Sequence, residues 1–174
     1  AALGLPPLPH LCKPLAMVAA IAFVPLRARA AGGVRAFDAL LAAALAFSLL
    51  RDVLLVLPGR FIAGLVAFLL AHACYIALFT RGVPWLPSRR ALVVVLAFGA
   101  AMYGVLVPFL PPVLKVAVAA YTVVICLMAA QAIGRATVLR EPAATGVAIG
   151  AAFFMLSDSL LGINRFAVPR PVGQ

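Results

Sequence analysis

The chain has 174 residues, of which 67% are hydrophobic and 10% charged, with a net charge of +10. Its mean hydropathy is +1.21, far from a soluble domain, in which about a quarter of the residues are charged. The basic residues lie mostly between apolar runs, and no basic helix or aromatic platform accompanies them. That pattern sets nucleic acid aside as a partner and points to a polytopic helical membrane protein.

Six stretches are long and apolar enough to cross a bilayer core, which takes roughly 17–25 residues. In chain order they run near 11–26, 36–57, 61–80, 91–110, 112–133 and 143–163. The chain opens "AALGLPPLPH" with no initiator Met, which suggests a processed start or a fragment. Asp38 stands at the head of the second span, where an acid favours a helix N-terminus. Pro58-Gly59 makes a tight turn before the third span. "RGVPWLPSRR", 81–90, forms a connection whose Trp85 suits a membrane–water interface. Pro111 and Pro112 break the helix that ends the fourth span. Cys12, Cys74 and Cys126 stand isolated in apolar runs and read as packing residues. No zinc spacing, nucleophile elbow or phosphate loop occurs, so neither metal nor cofactor is expected.

Connection charge sets orientation. Arg27, Arg29, Arg35, Arg81, Arg89, Arg90, Arg135 and Arg140 fall on one side, and Lys13, Arg60, Lys115, Arg165 and Arg170 on the other. The more basic side is expected to be cytoplasmic, which places both ends of the chain outside. Asp52 and Asp158 each stand five residues before the outer end of their span, so each is expected about 7–8 Å below that surface.

A repeat emerges from these acids. "LRDVLLVLPGRF" at 50–61 echoes "LSDSLLGINRF" at 156–166, with the aspartates 106 residues apart. Upstream, Lys13 and Lys115 head similar segments 102 residues apart. Spans one and two thus echo spans five and six in the same direction, as in a parallel four-helix repeat. Such a repeat calls for eight helices, one more at each end.

An intramembrane carboxylate is expensive and a functional candidate by default; its structural alternative is a polar knot between helices. Two matched acids suit either general acid/base catalysis or proton-coupled transport. Ser48 lies on the Asp52 face, four residues earlier, and bonds either that carboxylate or its own backbone. Arg51 points about 100° away round the helix; it is expected to snorkel to the surface rather than to pair with Asp52, or to reach a phosphate. His72 and Tyr75 share a face of the third span. Tyr121 and Gln131 are polar spots expected to bridge helices.

"KPL" at 13–15, Ser48-x-x-x-Asp52, and "FIAGLVAFLLAHACYIALF" with Gly64, His72 and Tyr75 form an ordered set. Tyr121 with Met128, and "GAAFFMLSD" at 150–158 followed by Arg165-Phe166, complete it. Together they resemble the YhhN family of lysoplasmalogenases across nearly the whole chain. The family has Gly where Arg51 stands, and a helix before "KP" and another after "SD" that this chain lacks. The resemblance implies a membrane hydrolase that cleaves the vinyl ether of a lysophospholipid, lysoplasmalogen. The products would be a fatty aldehyde and a glycerophospho-ethanolamine or -choline. It implies Asp52 and Asp158 as the catalytic acids, in unassigned order. Lys13, with Arg51, would hold the phosphate, and His72 and Tyr75 would orient a carboxyl or water. Ser48, Tyr121 and Ser157 complete the expected supporting set. A bacterial-type plasma membrane is the expected location. The alternatives from the residues themselves are a small-solute or proton-coupled transporter and a structural membrane subunit.

Overall fold

A computed structural model describes Ala22 and residues 36–167. The first expected span and Lys13 lie outside the described residues. The described residues form five α-helices and no strand. These are α1 (Ala36–Val56), α2 (Phe61–Phe79), α3 (Arg89–Leu106), α4 (Pro112–Leu139) and α5 (Pro142–Phe166), with a 3₁₀ turn, Val107–Phe109, after α3.

Four helical stretches are long and apolar enough to cross a membrane: Phe61–Phe79, Arg89–Phe109, Pro112–Leu139 and Pro142–Asn164. α1 has 21 residues and carries Asp38, Arg51 and Asp52; it is not among the four. Six spans were expected, so the described residues carry part of that count. Large apolar side chains point outward from these helices: Val113 and Val116 are each 78% exposed, and Phe153 and Leu160 67%. A water-facing surface does not carry such a band, whereas a lipid-facing one does. The chain is a multi-pass membrane protein.

The chain divides into two compact units, 1–78 and 79–174. In the first, α1 and α2 are joined by a turn in which Arg60 N–H donates to the Leu57 carbonyl at 3.3 Å. Pro58 takes the first central position and Gly59, at φ 74°, the second; only the glycine adopts that φ without strain. Beside the turn the two helices approach at Gly64, where a side chain would meet Leu55 Cδ2 at 3.0 Å.

In the second unit α4 is central and packs against both α3 and α5. Leu106, Leu110 and Val118 form a buried cluster, with Tyr103, Leu114, Ile163 and Phe166 around it. Ser88 caps α3, its Oγ accepting from Ala91 N–H at 3.2 Å, so the helix starts at Arg89, two residues before the expected span. Pro112 takes the first turn of α4, where its missing N–H costs nothing.

α4 runs six residues past the expected end at 133. Hydropathy falls at Gly134-Arg135, but neither residue terminates a helix when tertiary contacts hold it. Gly134 sits against Pro87, and Arg135 Nη1 donates to the Phe79 and Arg81 carbonyls. Arg135 is therefore helical, not part of a connection. The helix stops at Arg140, whose left-handed backbone (φ 54°, ψ 30°) lets its N–H reach the Ala136 carbonyl. Pro142 then opens α5.

Candidate functional site

The first unit gathers the expected polar residues of α1 and α2. Ser48, on the buried face of α1, is 4% exposed and donates its Oγ–H to the Ala44 carbonyl at 2.9 Å. Of the two partners expected for it, the backbone is the one it donates to. Its oxygen then accepts from the Tyr75 hydroxyl, which hydrogen-bonds the Ser48 side chain. Tyr75 lies one turn along α2 from His72, ring to ring at 6.4 Å. His72 is 1% exposed, and its Nδ1 is 2.7 Å from the Phe68 carbonyl. A carbonyl only accepts, so Nδ1 carries the proton. The Phe68 ring stands edge-on to the imidazole at 4.3 Å.

Phe68 has a second neighbour. The Arg51 guanidinium lies over its ring at 4.1 Å, and Arg51 Nη1 donates to Asp52 Oδ1 at 2.9 Å. Both charged side chains are 14% exposed. This corrects two expectations: Arg51 does not snorkel to the surface, and it does pair with Asp52. Adjacent Cα–Cβ bonds diverge on a helix, but the long arginine side chain bends back across that gap. The aromatic face holds it there, and at low exposure pairing outweighs solvation. Asp52, Arg51, Phe68, His72, Tyr75 and Ser48 thus form one continuous chain of contacts.

The second unit holds the other acid. Tyr121, on α4 and 9% exposed, donates its hydroxyl to Asp158 Oδ2 on α5 at 2.6 Å. That is the length of a charge-assisted O–H···O⁻ bond. Tyr121 bridges two helices as expected, with Asp158 as its partner. Ser157 is exposed on α5. Asp52 lies four residues before the end of α1 and Asp158 eight before the end of α5, where five were expected for each. The difference arises because α5 continues through "NRF" beyond the apolar stretch.

Gln131 does something the sequence did not show. It is 0% exposed, and its amide reaches the last residue of α2, as a bridging residue should, and also clamps the connection before α3. Its Nε2 donates to the Phe79 and Pro84 carbonyls, each at 3.2 Å, and its Oε1 accepts from Leu86 N–H at 2.7 Å. The only signal was a glutamine within an apolar helix, three residues before a glycine. Cys126 is buried, its thiol donating to the Val95 carbonyl at 3.4 Å, as suits a packing residue. Among the described residues no three His, Cys, Asp or Glu side chains gather as metal ligands do.

Comparison with known proteins adds a lineage. Lysoplasmalogenase TMEM86B of Sus scrofa is 37% identical over 161 residues, which is 92% of this chain and 65% of the pig protein. Lysoplasmalogenases of Mycobacterium bovis and Mycobacterium tuberculosis are each 37% identical over 131 residues, 71% of this chain and 48% of theirs. The chain therefore spans about half to two thirds of the length of these relatives. No solved structure matches. The YhhN family pattern matches residues 8–174. A match of that extent, together with relatives at 37% identity, places the chain in the YhhN family.

Proposed function

We propose that this chain belongs to a membrane-embedded, lysoplasmalogenase-like hydrolase. The observation that carries the reading is the setting of its two acids within apolar helices. Each is built into a dedicated setting, Asp52 with Arg51 and the His72–Tyr75–Ser48 group, Asp158 with Tyr121. Acids that served only to join helices would not need a graded set of polar neighbours. The relatives named lysoplasmalogenase, at 37% identity, supply the substrate class.

The chemistry needs two carboxyl groups and no metal. A carboxylic acid protonates the β-carbon of the vinyl ether, and the ether oxygen shares the resulting positive charge as an oxocarbenium ion. The second carboxylate takes a proton from water as the water adds to that cation. The hemiacetal then collapses to a fatty aldehyde and a glycerophospho-ethanolamine or -choline. Glycosidases handle a related cation with paired acids. In this reading Asp52 and Asp158 divide the donor and base roles. Lys13 holds the substrate phosphate. Arg51, committed to Asp52 and the Phe68 face, serves the carboxylate instead. His72 and Tyr75 orient the acid or its water, with Ser48 and Ser157 in support. The echo between 50–61 and 156–166 supports a parallel four-helix repeat within an eight-helix fold. A bacterial-type plasma membrane is the proposed location.

The test is chromatographic detection of aldehyde from a lysoplasmalogen, using the full-length protein in detergent or nanodiscs. Aldehyde release by the parent that is lost in both Asp52→Asn and Asp158→Asn supports the reading. Substrate uptake into liposomes without hydrolysis points to transport instead.

A further inference from the structure

The connection between α2 and α3 is the most rigidly held irregular segment among the described residues, and its polar side chains serve no part of the chemistry above. Its backbone is fixed from within and from below. Gln131, fully buried, makes three hydrogen bonds to the backbone of Phe79, Pro84 and Leu86. Arg135 binds the Phe79 and Arg81 carbonyls. Leu86 and Gly82 take positive φ, 45° and 74°, and a side chain at Gly134 would meet Pro87 at 2.8 Å. A connection that only had to link two helices would need none of this.

What the clamp presents is a basic, aromatic surface. Arg81, Arg89 and Arg90 are exposed, and Trp85 is 53% exposed, although it is the largest apolar side chain in the chain. No acid occurs in 81–90. Arg140 is exposed at the same end of α4 as the clamp. In the chain this segment lies between two helices long and apolar enough to cross a membrane, which sets it at a membrane face. The anionic groups available there are phospholipid headgroups. Guanidinium groups match phosphate oxygens in pairs, and an indole sits with its ring in the acyl boundary and its N–H among the headgroups.

We propose that residues 81–90, braced by Gln131 and Arg135, form a preformed docking platform for anionic phospholipid headgroups, with Trp85 as its anchor. Fixing the backbone in advance removes the ordering cost that a flexible basic loop would meet on binding. The platform therefore favours anionic lipid over zwitterionic lipid beyond what bulk charge gives.

The test uses the full-length protein in phosphatidylcholine nanodiscs with and without phosphatidylglycerol. Either the glycerol or the choline lipid carries bromine on its chains to quench tryptophan. The Trp85 signal is the difference between the parent and Trp85→Phe. Brominated phosphatidylglycerol should quench it several-fold more, per lipid present, than brominated phosphatidylcholine. High salt should shrink that preference in the unmodified protein. The combined variant Arg81→Gln, Arg89→Gln, Arg90→Gln should abolish the preference while both lipids still quench. Gln131→Leu, which keeps every charge, should weaken it. Equal quenching by the two lipids in the parent overturns the platform, as does a preference unmoved by salt and by the arginine variant. A full preference retained in Gln131→Leu overturns its preformed character.

Discussion

The Tyr121 hydroxyl donates to Asp158 Oδ2 at 2.6 Å, across from α4 to α5. Removing only that oxygen, as Tyr121→Phe, keeps the ring in the core and deletes the bond. A hydrogen bond to a charged group is worth about 1.5–3 kcal/mol. If Asp158 acts in catalysis, aldehyde release should fall roughly 10- to 100-fold, with helix content unchanged by circular dichroism. Unchanged turnover in a folded variant would remove Tyr121 from the site.

Asp52→Asn and Asp158→Asn preserve shape and hydrogen-bonding size. Loss of a general acid or base lowers turnover by about 10²–10⁴. Each variant should therefore sit near background in an aldehyde assay while still inserting and purifying as the parent does. Substantial activity in either sinks the acid-pair mechanism.

Arg51→Ala removes the cation from Asp52 and the cover from Phe68. At 14% exposure the cost should fall between the roughly 1 kcal/mol of an exposed pair and the roughly 3–5 kcal/mol of a buried one. A thermal-shift assay should show a clear drop in Tm, and Arg51→Lys should recover part of it. Phe68→Leu should cost a further part of the same interaction, about 0.5–2 kcal/mol, and the double variant should lose less than the sum.

Gln131→Leu fits the same space but strands the Leu86 N–H and the Pro84 carbonyl of the connection, while the Phe79 carbonyl keeps its bond from Arg135. Each stranded group costs about 1–3 kcal/mol unless the segment opens to water. Opening is the cheaper outcome, so trypsin should cut after Arg81, Arg89 or Arg90 faster than in the parent. Equal cleavage rates would show that the amide does not hold the segment.

Much of the helix pattern was legible because apolar length and proline placement act locally. Pro58-Gly59 and Pro111-Pro112 mark their turns locally. α4 outran its expected end because Gly134 and Arg135 stay helical only through Pro87 and two distant carbonyls. Those contacts span about 50 residues, and no window along the chain contains them. Both acids were visible as anomalies in apolar runs. The partners of Arg51 were not, since the direction of a Cα–Cβ bond says little about where a four-torsion side chain ends. The Gln131 clamp was hidden for the same reason: its three partners are backbone groups, which leave no mark in the sequence.

The Arg51–Asp52 pair also bears on how α1 keeps an acid in an apolar run. A lone aspartate in an apolar run must take up a proton or find a cation elsewhere, whereas the Arg51–Asp52 pair is neutral as a unit. Because its partner is the preceding residue, the helix supplies its own counter-ion without help from another helix. The charge of Asp52 is therefore balanced within α1 itself, by its own neighbour in the chain, separately from anything the site does with its carboxylate.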